Sequence, residues 1–184
     1  MKKGLLVSGA IGIALLAAIG GAAFFQTSDL DRIHSGIAAN YDTVEHLSAD
    51  DFSALSPNDV VLFDVREPDE FAVSHLAGAI LVEPEITEDD FAERFADKLQ
   101  GKRAVFYCSV GARSSILADR VAQFVERESG KPPVNLIGGL FQWRNDGRAL
   151  VSASSGATEA IHPFDDYWGR LIEDEEAISY SATD

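Results

Sequence analysis

The apolar positions of this 184-residue chain fall into two regimes. From Leu5 to Phe25 no charge interrupts the run, and about 21 residues at the helical rise suffice to cross a hydrocarbon core of about 30 Å. From Thr43 onward, short apolar runs alternate with amphipathic stretches. Val44 and Leu47 mark a short edge strand, and Ser48 to Leu55 reads as an N-capped pair of helical turns before Pro57. Asp59 to Val65 is a β-type run, Pro68 to His75 a short helix with proline at its start, and Gly78 to Val82 another strand. Thr87 to Leu99 is amphipathic, with Phe91, Phe95 and Leu99 on one face and Glu88, Asp89 and Asp90 in the first turn, where the helix dipole favours acids. Ala104 to Tyr107 is a buried-type strand. A helix opened by Arg113 or Ser114 follows, with Ile116, Leu117, Val121, Phe124 and Val125 at helical spacing as far as Glu128 and a stop at Gly130. Pro133 to Ile137 is a further strand, and Gly138-Gly139 permits a tight turn into a helix that ends near Gly147.

Strands alternating with helices predict one α/β domain with a mainly parallel sheet and helices on both faces. Outside it, residues 27–42 are expected to be a linker or weak helix with little to bury. Ser152 to Thr158 reads as a loop, and Ile161 to Ile172 carries enough aromatics to pack back on the domain. Glu173 to Asp184 is acidic and expected to fray. Four segments result: 1–26 as membrane anchor or signal peptide, 27–42 as linker, 43–151 as the domain and 152–184 as a C-terminal extension.

Composition changes this picture little, with 46% hydrophobic and 24% charged residues being ordinary for a globular chain. Charge changes it more. The net charge is −15, and Lys2 and Lys3 precede the apolar run, so the rest is more acidic still. Such a surface repels nucleic acid and anionic lipid. The two lysines before the run and Asp29 and Asp31 after it predict the N-terminus in the cytoplasm and everything after residue 26 outside. Gly21-Ala22-Ala23 offers small residues for signal cleavage. The run nonetheless exceeds the usual signal core of about 7–15 residues, which favours an uncleaved anchor; no cysteine follows the run closely enough for a lipid anchor.

Cys108 is the sole cysteine, which excludes an internal disulfide and a cysteine-cluster metal site. It sits between a strand and a helix N-terminus, at the carboxyl edge where α/β sheets bind ligands. Ser109, Val110, Gly111 and Ala112 are small or modest in size, so the loop to Arg113 can curl with its backbone N–H groups pointing inward. Those donors and the helix dipole favour the thiolate, the form that attacks.

This loop, together with Leu62-Phe63-Asp64-Val65-Arg66-Glu67, Ser74-His75-Leu76-Ala77-Gly78-Ala79-Ile80 and Gly138-Gly139 followed by Trp143, resembles the rhodanese-like sulfurtransferase domain over roughly residues 43–150. Four elements occur in that family's order. The tail from His162-Pro163-Phe164 to Tyr167-Trp168-Gly169 is similar to tails on some exported bacterial single-domain members. The resemblance implies a three-layer fold and transfer of a sulfane sulfur from thiosulfate, polysulfide or a persulfide, by way of a Cys108 persulfide, to cyanide or a thiol, including a protein thiol. It implies no metal and no organic cofactor. Cys108 would be the nucleophile, with the backbone of Ser109, Val110, Gly111, Ala112 and Arg113 around the sulfur. Arg113 would hold the loop or contact an anionic donor, Ser114 would cap the helix or reach the sulfur, and Asp64 and Arg66 would brace the loop as an ion pair. Thiosulfate-preferring members tend to carry basic residues inside the loop, whereas Ser109, Val110 and Ala112 are neutral.

Two other functions compete. A phosphatase on the related architecture needs Cys-x5-Arg to enclose a tetrahedral phosphate; here position 114 is serine and Tyr107 stands where histidine is common in those enzymes. A non-catalytic, envelope-tethered binding or redox-sensing module is the other alternative. His75 reads as a turn histidine bonded to backbone, Trp143 and Trp168 as packing residues, and His34, His46 and His162 show no metal pattern.

Overall fold

The computed structural model describes residues 28–152 and 156–182. The Leu5–Phe25 run, which carries the anchor or signal-peptide expectation, lies outside them. Among the described residues no helix is long and apolar enough to cross a membrane.

The chain begins with α1 (Asp29–Asn40), then β1 (Glu45–Leu47), α2 (Ala49–Ser53), β2 (Val60–Asp64), α3 (Pro68–Val73), β3 (Ile80–Leu81) and α4 (Glu88–Leu99). It continues through β4 (Arg103–Tyr107), α5 (Ala112–Arg120), α6 (Ala122–Ser129), β5 (Val134–Leu136) and α7 (Gly139–Asn145). A hairpin of β6 (Leu150–Ser152) and β7 (Gly156–Thr158) and the short α8 (Asp166–Gly169) complete it. The central sheet has the order β1-β5-β4-β2-β3, and every pairing in it is parallel.

Alternation along β2 and β4 sends side chains to both covered faces, which explains why residues 60–63 and 104–107 are apolar at every position. Val61, Phe63, Ala104 and Phe106 face one core with Phe91, Phe95 and Leu99 of α4 and Leu117, Phe124 and Val125 of α5 and α6. Phe63 lies 5.0 Å from Phe106 and 5.2 Å from Phe91, centroid to centroid, in a cluster of aromatic rings. Leu62, Val105 and Tyr107 face the opposite core with Leu30 of α1, Leu140 and Phe141 of α7, and Ile161, Ile172 and Ala177 of the C-terminal extension. The sheet is therefore covered on both faces, as the alternation of elements predicts.

Four local expectations differ. Of the two expectations for residues 29–40, linker or weak helix, the helix is found, and it buries more than expected: Ser28 and Asp31 make a reciprocal capping box, and Leu30 and Ile37 are buried. The single long helix after Cys108 is two, because Val121, at φ −100° and ψ 7°, leaves helical geometry between α5 and α6. The 152–158 segment contributes to the β6–β7 hairpin instead of a plain loop. The acidic end is pinned as far as Ser179: Ile161 N–H donates to Ala177 O at 2.8 Å, and Ser179 N–H donates to Ile161 O at 3.0 Å.

If α1 is an integral layer, Ile37→Ala leaves an apolar hole and should lower stability by about 2–3 kcal/mol. Urea unfolding of wild type and variant checks this; a linker would give no change.

Candidate functional site

The strand order creates the site. After β2 the chain goes to β3 on one side of it, and after β4 it goes to β5 on the other. The carboxyl ends of these adjacent strands thus flank a crevice, the place where open α/β sheets bind ligands. Cys108 leaves the end of β4 and Arg66 the end of β2. A hydrogen bond from Val65 N–H to Tyr107 O at 2.8 Å holds the two edges together.

Beneath the crevice lies a polar network without solvent access. Arg66 Nε and Nη2 donate to the two Asp64 oxygens at 2.8 and 2.7 Å, and Nη2 also reaches Ser74 O at 2.6 Å. Tyr107 OH donates to Asp64 Oδ2 at 2.5 Å and accepts from Leu76 N–H at 3.0 Å. Burial works against the Arg66 charge, and Asp64 more than restores it, holding the pKa above the ordinary arginine range. Burial and the Asp64 charge together push the Tyr107 phenol well up, so it stays a donor.

Above this floor the Cys108 loop turns sharply. Gly111, at φ +96°, is the residue from which α5 starts, and its N–H donates to Cys108 Sγ at 3.2 Å. The loop carbonyls point the other way, because Leu140 N–H and Phe141 N–H donate to Cys108 O and Ser109 O at 2.9 and 3.0 Å. That contact dictates glycine at 139, where a Cβ would fall 2.4 Å from Cys108 O. The Gly111 amide consequently faces the sulfur while the Cys108 and Ser109 carbonyls are tied to the start of α7.

Glu70 fixes the far side. Although 1% exposed, it accepts from Arg113 Nη1 and Nη2 at 2.7 and 2.8 Å and from Ser109 Oγ at 2.9 Å. Arg113 Nη2 also donates to Ser109 Oγ at 3.0 Å. Burial alone would raise the Glu70 pKa, but the hydrogen bonds and charge of Arg113 hold it below the ordinary glutamate range. Burial likewise opposes the Arg113 charge, and Glu70 with Cys108 reverses that. Arg113 is thus turned into a bidentate pair across the loop.

Cys108, 1% exposed, lies at the floor of a pocket of about 200 Å³ walled by Ser109, Val110, Ala112, Arg113, Phe164 and Trp168. The structure brings together Cys108, Ser109, Val110, Gly111, Ala112 and Arg113 as the sequence places them. Ser114 stands apart: its hydroxyl donates to Asn135 Oδ1 at 2.7 Å, tying α5 to β5, and neither caps the helix nor meets the sulfur. Asp64 and Arg66 form the expected buried ion pair. His75 donates from Nδ1 to Phe71 O at 2.9 Å, the expected turn contact. Trp143 packs with its Nε1–H on Ala149 O at 3.0 Å.

Sequence reasoning missed Glu70, Phe164 and Trp168. Glu70 shares a helix face with buried Val73, three positions on, and that spacing is the one local sign that it points inward. Among the described residues no group of three or more His, Cys, Asp or Glu side chains is placed to hold a metal ion.

Comparison with known proteins agrees with this geometry. The model of the Rhodanese-like domain family matches residues 48–146. A tRNA uridine(34) hydroxylase of Bacillus velezensis is 25% identical over 118 residues, covering 62% of this chain and 35% of that protein. One of Oceanobacillus iheyensis is 29% identical over 107 residues, covering 56% of this chain and 32% of that protein. The chain thus spans about a third of the length of the curated relatives it matches. A solved thiosulfate sulfurtransferase from Pseudomonas aeruginosa superposes with a TM-score of 0.51 at 20% identity, over 76% of this chain and 25% of that one, a likeness of fold.

Glu70→Gln should cost about 2 kcal/mol at neutral pH by leaving Arg113 without its charge partner. Because the Glu70 pKa is depressed in the folded state, its contribution is intact above the unfolded glutamate value of about 4.3 and fades as pH falls through the lower folded value. Urea midpoints of wild type and Glu70→Gln should therefore differ by a constant amount from about pH 7 to 5 and converge below about pH 4. A gap that persists into acid contradicts the pairing.

Proposed function

Because the chain belongs to the rhodanese-like domain family, we propose that it is a sulfurtransferase in which Cys108 carries the sulfur. One observation carries this reading: the Gly111 amide donates to Cys108 Sγ inside a loop whose carbonyls are bound elsewhere. In the first half-reaction the thiolate attacks the terminal sulfur of thiosulfate, a polysulfide or a persulfide. The Sγ–S bond forms, the bond from that sulfur to the rest of the donor breaks, and the donor remnant leaves with the electron pair. In the second, cyanide or a thiol attacks the outer sulfur and the Cys108 thiolate is released. The persulfide anion carries the same single charge as the thiolate it replaces, and the Gly111 amide is already placed beside that charge, so no reorganisation is needed. Arg113 acts by fixing the loop through Glu70, and Asp64 and Arg66 act below it. No step calls for a metal or organic cofactor.

The Cys-x4-Arg spacing argues against phosphate as substrate. The curated relatives' hydroxylase activity is not carried over, because a net charge of −15 disfavours an RNA partner. The uncharged Leu5–Phe25 run supports a domain held at the outer face of an inner membrane, or free in the periplasm after cleavage.

Mass spectrometry after exposure to thiosulfate or polysulfide should show an adduct of one sulfur atom that reductant removes and that Cys108→Ser lacks. Absence of an adduct with every donor tried would sink the proposal.

A further inference from the structure

We propose that the C-terminal extension shapes the Cys108 pocket for a sulfur donor with an apolar body, and against thiosulfate, through the rings of Phe164 and Trp168. The inference rests on the sulfurtransferase reading and names the substrate class for that site.

The two rings come from residues beyond the matched family region, which ends at 146. Phe164 is, among the described residues, the one non-glycine with positive φ, at 69°. A bulky side chain held in that conformation is costly and persists only where its surroundings impose it. Here the fastenings are explicit. Phe164 N–H donates to His162 Nδ1 at 3.0 Å, and the Asp165 carboxylate caps α8 by accepting from Trp168 N–H at 2.9 Å. Farther along, Asn145 of α7 donates to Leu171 O at 2.8 Å and accepts from Glu173 N–H at 3.0 Å, while Arg144 pairs with Asp174 at 2.7 Å. The extension is thereby bolted to α7, the same helix whose first turn holds the Cys108 loop.

The electrostatics point the same way. Arg113 is the one cation among the residues lining the pocket. Its guanidinium is bound in bidentate fashion by Glu70 and lies 5.0 Å from the centroid of the Phe164 ring. His162, which accepts a hydrogen bond at Nδ1, adds no positive charge, and burial holds its pKa below the ordinary histidine value. A thiosulfate dianion entering this pocket sheds water and finds no unpaired cation in its lining. An aryl or alkyl group instead meets Trp168 and Phe164, the latter still 46% exposed and so open to stacking beside the sulfur.

The test compares benzenethiosulfonate with thiosulfate on the full chain, reading the rate of Cys108 persulfide formation by mass spectrometry. With benzenethiosulfonate the thiolate attacks the terminal sulfur, the bond between that sulfur and the sulfonyl sulfur breaks, and benzenesulfinate leaves with the electron pair, so charge is conserved. Wild type should react at least about tenfold faster with the aryl donor, the size of one well-placed aromatic contact. Phe164→Gly combined with Trp168→Ala should lower the aryl rate and raise the thiosulfate rate, so that the ratio of the two falls by about tenfold or more. Glycine also suits the positive φ at 164, and near-ultraviolet circular dichroism with thermal unfolding confirms that the variant is folded. Phe164→Lys supplies the missing cation and should raise the thiosulfate rate by about threefold or more while lowering the aryl rate. Equal rates in wild type, or a parallel fall of both rates in the double variant, would overturn the inference while leaving the sulfurtransferase reading intact. Sulfur uptake from neither donor would overturn both.

Discussion

The guanidinium of Arg66, fully shielded from water, stays charged only because Asp64 meets it with both oxygens. Everything at the carboxyl edge of the sheet is registered against that pair. Tyr107 reaches across from the neighbouring strand to the same carboxylate, and Ser74 and Leu76 hang their backbone on the arginine and the phenol. Removing one member would strand a buried charge, at a cost of about 3–5 kcal/mol. The strand ends that frame the crevice are therefore not free to shift relative to each other.

A second carboxylate extends this restraint to the thiol. Glu70, on the helix that follows Arg66, is the acceptor around which Arg113 and Ser109 converge. The loop is thus gripped at both ends: by Glu70 on one side, and on the other by α7 amides that take up its carbonyls, which only glycine at 139 permits. The persulfide chemistry proposed for Cys108 asks for little beyond a fixed loop with the Gly111 amide on the sulfur, so rigidity is the protein's main contribution. What a donor meets before it reaches the sulfur is set by a different part of the chain, the extension that places Phe164 and Trp168 over the loop.

Much of this was legible in the residues. Continuous apolar strands, Pro68 at a helix start, Gly138-Gly139 before a helix, and a small-residue loop between strand and helix each have one dominant physical reading, and together they give the sheet and the loop. The illegible parts depend on tertiary contacts. Glu70 looks like any acid in a first helical turn until Arg113 is brought beside it. The Ser114 hydroxyl has several local uses, and the one realised is on Asn135, 21 positions away. The 29–40 helix was underrated because its apolar positions are few, while its capping box and the sheet it covers decide the outcome. Phe164 and Trp168 are ordinary packing aromatics by sequence; their place at the pocket mouth follows from the Ile161 bridge to Ile178 and the anchorage to α7.

The central claim is that Cys108 holds a sulfur which leaves again. Its most direct test is a single-turnover transfer: the full chain is loaded with a donor radiolabelled at its outer sulfur, freed of excess donor, and mixed with cyanide. The account predicts labelled thiocyanate in stoichiometric amount with the protein and none from Cys108→Ser. Label that never binds, or that binds and cannot be discharged to cyanide or to any thiol, would contradict it.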